Sequence, residues 1–245
     1  SGVMVKGKYE ETPVGTPQGG NLSPLLSNIM LNELDKELEG RGLRFVRYAD
    51  DSLIFVKSEK AADRVMKSIV RFIEDKLGLI VNSEKSKISR PKELKFLGFG
   101  YYYDGKNKRY QVKPHLSSIQ KFQRKLRKLT KRNWSVPLDY RILKLKQVII
   151  GWVNYFRIGN MKNATERIDM KLRSRIRVII WKQWKVPRKQ IKSLTQLGIL
   201  KEEAKGLTYC RKGYRYIGLS KVIQRAISNK RLKQRGLPSA LEHYL

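Results

Sequence analysis

Residues 44–56 read Arg-Phe-Val-Arg-Tyr-Ala-Asp-Asp-Ser-Leu-Ile-Phe-Val. Two apolar, β-branched and aromatic runs, Arg44–Tyr48 and Ser52–Val56, flank Ala49-Asp50-Asp51, which predicts a β-hairpin with carboxylates at its turn. Adjacent carboxylates repel, and a divalent cation or a lysine relieves them. Strand alternation sends neighbours to opposite faces, whereas a turn lets both converge unequally, with Asp50 ahead of Asp51. The plain alternative is a solvated acidic turn. Against it stands the setting: the pair is gripped by two apolar strands in a chain poor in acid. Magnesium held there suits phosphoryl or nucleotidyl transfer.

Outward from the hairpin the first half alternates strands and helices. Val3, Val5 and Val14 sit in a short alternating segment, and Thr16–Gly20 is a glycine-rich loop. A helix then starts at Asn21-Leu22-Ser23-Pro24, with Asn21 or Ser23 as cap. Leu26, Ile29, Met30, Leu34 and Leu38 recur at helical spacing, and Gly40 and Gly42 end it. Residues 59–77 predict a second amphipathic helix stopped by Gly78. Leu79–Val81 and Leu94–Gly100 are strand candidates, and Asp104-Gly105 marks a hairpin between Tyr101–Tyr103 and Tyr110–Val112. The second half predicts helices at 116–132, 138–157 and 163–184, a bundle whose Trp and Phe positions are core. Shorter elements follow: 188–197, a loop at Gly206–Gly213 and a helix near 219–232.

The chain has 245 residues, with 54 Lys+Arg against 21 Asp+Glu and a formal net charge of +33. A polyanion relieves such self-repulsion, and nucleic acid is the usual one. The charge is uneven: residues 1–90 hold 15 basic and 13 acidic side chains, residues 91–245 hold 39 and 8. That composition step predicts two modules. A single cysteine, Cys210, excludes an internal disulfide framework, and with two histidines it cannot build a zinc centre. No apolar run approaches a membrane span.

Two further segments carry chemistry. Pro17-Gln18-Gly19-Gly20 feeds a helix start, where backbone can approach a ligand closely and amides favour anions. Asn82-Ser83-Glu84-Lys85-Ser86-Lys87 is a polar loop whose lysine, beside a triphosphate, can stabilise a leaving pyrophosphate.

These pieces, in this order, resemble the reverse transcriptases encoded by group II introns. Gly15–Ile29 is similar to that family's loop-and-helix motif, and Tyr48-Ala49-Asp50-Asp51 matches its catalytic tetrapeptide. Gly78-Leu79 through Lys87 resembles the next motif, with Lys85 at the family's lysine. Leu94–Phe99 resembles the primer-gripping strand. Ile150–Phe156, Trp181–Trp184 and Gly213-Tyr214 resemble the maturase domain that follows the polymerase.

The resemblance implies an α+β palm of right-hand polymerase type, an antiparallel sheet with helices, followed by an all-α thumb and maturase domain. Residues 1–113 correspond to a partial palm with the primer-grip strand, 114–186 to the thumb, and 187–245 to the C-terminal part of the maturase domain. Asp50 and Asp51 correspond to magnesium ligands in a two-metal mechanism, with Lys85 completing the catalytic set. Pro17, Gln18, Gly19, Gly20 and Tyr48 shape the nucleotide and template pocket. Phe96, Leu97 and Gly98 hold the primer end.

Lys121, Arg124, Lys125, Lys128, Arg173 and Arg177 are RNA-binding candidates on the helical faces, which suit duplex backbone and shape. The implied activity is RNA-directed DNA polymerase with maturase function in group II intron splicing and mobility. The implied partners are intron RNA, an RNA template with DNA primer, and deoxynucleoside triphosphates, with no membrane partner. The implied setting is bacterial cytoplasm, with RNA or the nucleoid, or an organelle.

The family's other palm aspartate and its fingers precede the stretch seen here. The first residue is Ser1, so a true N-terminus upstream is expected, along with one more aspartate from outside the chain. The family's C-terminal endonuclease cysteines and histidines are not present, so DNA cleavage is not expected. The reading from a different class is a non-catalytic RNA-binding module that assists splicing, for which the basic half alone suffices.

Both readings require salt-sensitive RNA binding. A titration should show log affinity falling linearly with log salt, by about 0.9 per phosphate contact on a duplex and about 0.7 on a single strand. A response flat from low to moderate salt would contradict both.

Overall fold

Helical periodicity decides most of the chain, and in a computed structural model that describes residues 2–5, 7–11 and 21–245 the long amphipathic stretches are helices. Two units divide it, Ser1–Ser89 and Arg90–Leu245. The division falls one residue from the charge step. The residue 113 boundary lies inside the second unit, which also runs through residue 187 without a break.

In the first unit, strands β1 (Gly2–Val5) and β2 (Lys8–Glu11) pair antiparallel. Helix α1 spans Ser23–Gly40 with Pro24 in its first turn. Leu22 occupies the cap position, so neither Asn21 nor Ser23 does. Strands β3 (Arg44–Tyr48) and β4 (Asp51–Phe55) form the expected hairpin. Helix α2 spans Glu59–Leu77, capped by the Ser58 side chain on the Ala61 amide and stopped by Gly78 at φ 63°.

Leu34, Leu38 and Ile69 form this unit's core, with Phe45, Ile54, Val65 and Phe72 packed against them. Helix α1 buries only two of the five positions of its predicted apolar stripe: Leu26, Ile29 and Met30 are exposed. Leu79–Val81 is not a strand, and Ile80 is 95% exposed. An apolar triplet without a pairing neighbour has nothing to hold it extended.

In the second unit a short 3-10 turn (Pro91–Glu93) leads into a three-stranded antiparallel sheet, β5 (Lys95–Phe96), β6 (Phe99–Asp104) and β7 (Arg109–Pro114). Helices α3 (Leu116–Leu129), α4 (Leu138–Phe156) and α5 (Lys162–Gln183) are the predicted bundle helices. Phe122 stacks on Trp152 at 4.4 Å and 8°, and Phe156 packs 5.0 Å from Trp152. The aromatic positions are core, as their spacing predicted.

Phe99 of β6 joins this cluster, 4.9 Å from Phe156. Asn160 donates its backbone amide to Val112 and its side-chain amide to the Tyr102 hydroxyl. The sheet therefore packs as part of the helical unit.

Beyond α6 (Pro187–Gln196) the elements are shorter than the periodicity indicates. Helix α7 (Lys201–Thr208) runs into the expected loop because Ala204 and Leu207 are buried at helical spacing. The single helix expected near 219–232 is two, α9 (Lys221–Ala226) and α10 (Asn229–Gln234), with α8 (Tyr214–Leu219) ahead of them. Ser220 and Ser228 break it by capping α9 and α10.

Helix α11 (Ala240–Tyr244) ends the chain. Its start is tied to α5 through Asp169, which is 2% exposed. Asp169 accepts from the Ser239 hydroxyl at 2.5 Å and from the Ala240 and Leu241 amides at 2.8 and 3.2 Å.

Asp169→Ala should therefore destabilise the second unit by about 2–3 kcal/mol, since it orphans several buried donors. Denaturant unfolding checks this, with faster amide exchange across residues 239–245 as the local signature.

Candidate active site and nucleic-acid interface

The β3–β4 hairpin closes at the pair Tyr48 and Asp51, so Ala49 and Asp50 are the two turn residues. Two-residue hairpin turns call for positive φ, normally supplied by Gly or Asn. Here Ala49 takes it, at φ 53°, a conformation costing roughly 1 kcal/mol for a residue with a Cβ.

Arg47 supports the turn. Its Nη1 donates to the Ala49 carbonyl at 3.0 Å and to Asn28 Oδ1 at 3.0 Å. Its Nε and Nη2 grip both oxygens of Asp35 on α1, at 2.8 and 2.5 Å. The hydrogen bond with Asp35 raises the guanidinium pKa above its ordinary value, so the clamp stays charged.

Sequence reasoning passed over Arg47, although the signal was there. Alternation puts it on the same face as Phe45, toward the core, where a charge needs a partner.

The opposite face of the hairpin carries Val46, Tyr48 and Phe55, all exposed, and Asp51 lies directly across from Tyr48. Asp50 and Asp51 are both exposed. Among the described residues, no cluster of three metal-ligating side chains forms. Two adjacent, exposed carboxylates still match the donor set magnesium uses, one or two carboxylates with substrate phosphates and water supplying the rest.

Lys85 is exposed in a turn closed by Asn82, whose Oδ1 accepts the Lys85 amide at 3.1 Å. Pro17, Gln18, Gly19 and Gly20 lie outside the described residues, as does Val14.

In the second unit Phe96 and Phe99 close another two-residue turn, with Leu97 at φ 49° and Gly98 at φ 81°. The turn is bonded to the helices on three sides. The Gly98 carbonyl accepts from the His115 amide at 2.9 Å and the Ser118 hydroxyl at 2.8 Å, and the Leu97 carbonyl accepts from the Tyr155 hydroxyl at 2.9 Å. A Cβ on Gly98 would sit 3.1 Å from Ser118 Oγ and 3.3 Å from Phe156 Cζ. Ser118 and Tyr155 are thus positioning residues that the motif alone did not reveal.

Lys121, Arg124, Lys125 and Lys128 are exposed on α3, opposite its buried Phe122 and Leu126. Arg177 is not a surface cation as its sequence setting indicated. Arg177 is 6% exposed and spends its guanidinium on the Ile227 carbonyl at 2.9 Å and Asn229 Oδ1 at 2.8 Å. Arg173 is half-buried between Asp169 and Ser239. Arg177 therefore holds the fold together and is not available to a backbone phosphate, whereas Arg173 keeps part of its guanidinium at the surface.

Comparison with known proteins divides the chain likewise into two segments. Residues 4–101 match the reverse transcriptase (RNA-dependent DNA polymerase) family. Residues 119–198 match the maturase-specific domain of group II introns. The chain is 30% identical over 173 residues to Protein YkfC of Escherichia coli K12, covering 56% of this chain and 45% of that protein. It is 28% identical over 164 residues to the group II intron-encoded protein LtrA of Lactococcus lactis subsp. cremoris, covering 40% and 27%. With the Retron Ec86 reverse transcriptase of Escherichia coli it shares 36% over 80 residues, 31% of this chain and 25% of that one. The chain spans less than half the length of these curated relatives.

The clamp yields a prediction. Arg47→Ala should cost about 2–3 kcal/mol in the first unit, because a largely covered charge on Asp35 loses its partner. Arg47→Lys should recover less than half, lacking the fork. Amide exchange of residues 44–55 should accelerate in both, Ala more than Lys.

Proposed function

Because this chain belongs to the family of group II intron reverse transcriptases and maturases, we propose that it carries the later palm, thumb and maturase segments of an RNA-directed DNA polymerase that also assists splicing of its intron RNA. The observation that carries the reading is the Arg47-braced turn, which presents Asp50 and Asp51 side by side outside the core.

In this reading Asp50 and Asp51 hold magnesium together with the phosphates of a deoxynucleoside triphosphate, and Asp50 is the principal ligand. Magnesium bound there supplies charge neutralisation on the phosphates and activation of the attacking primer hydroxyl. A further aspartate comes from outside the residues seen here. Lys85 stabilises the leaving pyrophosphate, and Tyr48 with Pro17, Gln18, Gly19 and Gly20 bounds the nucleotide and template pocket. Phe96, Leu97 and Gly98 hold the primer end.

The exposed row Lys121, Arg124, Lys125 and Lys128 lies along the backbone of an RNA–DNA duplex, whose A-like shape is read without sequence. Among the described residues no helix is long and apolar enough to cross a membrane, and we place the protein in the cytoplasm with its RNA.

One observation favours the splicing-assistance reading for part of the chain. The unit Arg90–Leu245 has its own core and 40 Lys+Arg against 8 Asp+Glu. Such a surface grips intron RNA without any polymerase site.

Primer extension on an RNA template, by the protein in the form its gene encodes, separates the two. Asp50→Asn should lower extension by roughly a thousand-fold or more while leaving RNA affinity unchanged. Normal extension by that variant would contradict the active-site assignment.

A further inference from the structure

From Ala204 to Leu241 there is no aspartate or glutamate, while ten lysines and arginines occur. Three tyrosines in this stretch stand out at the surface: Tyr209, Tyr214 and Tyr216 are 68%, 41% and 45% exposed. Four of these cations pair with carboxylates from outside the stretch, and at the tyrosines two cations settle over rings. Lys212 Nζ lies 4.6 Å from the Tyr216 centroid, and the Arg132 guanidinium lies 4.3 Å from that of Tyr214.

Two clefts flank Gly213. An open one of about 600 Å³ is lined by Arg215, Tyr216, Leu219 and Ser220. A narrower one of about 170 Å³ reaches down to Trp181, Gln190, Thr208 and Tyr214. The Thr208 hydroxyl behind its wall is out of solvent contact and has no hydrogen-bond partner.

Helix α8, which carries both ring positions, is seated firmly. A Cβ on Gly218 would come within 2.7 Å of Val178 and 2.8 Å of Ser174 Oγ on α5. The rings therefore stand on a fixed base and need not be ordered when something binds.

We propose that this face is a site for unpaired nucleotides of an RNA strand. A base stacks on Tyr216 in the larger cleft, with its phosphates held by Lys212 and Arg215. A neighbouring nucleotide lies against Tyr214 and Arg132. Stacking platforms interleaved with cations are what single strands require. A duplex offers phosphates and grooves but no free base face, so it has no use for exposed tyrosines beside small clefts. This deepens the RNA-binding reading given above and rests on it. It adds a second mode of contact, to loops or single-stranded joints, distinct from the duplex grip of α3.

The test uses the full chain and two fluorescent probes, a short unstructured oligoribonucleotide containing 2-aminopurine and a blunt RNA duplex of equal length. Tyr216→Leu should weaken single-strand binding by about ten-fold and abolish the 2-aminopurine quench, with duplex affinity unchanged. Tyr216→Phe should bind like the parent, since the ring face is kept. Lys212→Ala should lower the single-strand salt slope by about 0.7.

The site is overturned if Tyr216→Leu binds the single strand normally, if it loses duplex affinity equally, or if Tyr216→Phe loses as much as Tyr216→Leu. In those cases the parent chain still binds RNA and the broader reading stands. A parent chain that binds neither probe overturns both.

Discussion

Forty lysines and arginines share the unit Arg90–Leu245 with eight acidic residues, and its helices can pack only if that charge finds electron-rich partners. Carboxylates are too few, so backbone carbonyls at helix ends take their place. Arg141 donates to the carbonyls of Leu129, Lys131 and Trp134 after α3, and Arg175 to those of Arg127 and Thr130. Arg177 reaches Ile227 and Arg231 reaches Ala226 at the end of α9, and Arg231 also reaches Leu197 at the end of α6. These are the sites where unpaired carbonyls and the negative pole of the helix coincide. The guanidinium fork serves two or three carbonyls at once, which a lysine cannot do. A subset of the arginines is thereby used up inside the fold, leaving the rest outside for a polyanion.

That division explains what the sequence did and did not reveal. Helices α2, α4 and α5 were legible because their apolar positions repeat over three or more turns and Gly78 supplies a stop. The hairpin was legible because two apolar runs bracket a turn. Arg177 was misread because a charge in a basic stretch looks solvent-facing, whereas its burial depends on Ile227 and Asn229, fifty residues away. The break into α9 and α10 was missed because serines compete locally for the backbone, an effect that apolar spacing does not record. Leu79–Val81 failed as a strand for the converse reason: composition alone does not supply a pairing partner.

The site residues follow the same logic. Asp50 and Asp51 were singled out as candidates by their neighbours in sequence, but Arg47, which braces their turn from within, acts through Asp35 on a different element. The candidate pair is local in sequence and its support is not. In the first unit one arginine links the turn carbonyl to Asn28 and Asp35 of α1. An acid-bearing turn that must keep an alanine at positive φ is held by a base whose own charge is neutralised elsewhere.

The family match for the polymerase segment reaches residue 101, yet the packing assigns everything from Arg90 onward to the helical unit. The Leu97-Gly98 turn sits in that overlap, bonded to His115, Ser118 and Tyr155. Ancestry and mechanics thus draw different borders. Any rotation of the bundle carries this turn with it as one lever arm. If the turn holds a primer end and α3 a duplex, as proposed, the two contacts belong to one body and need no separate device to keep them in phase.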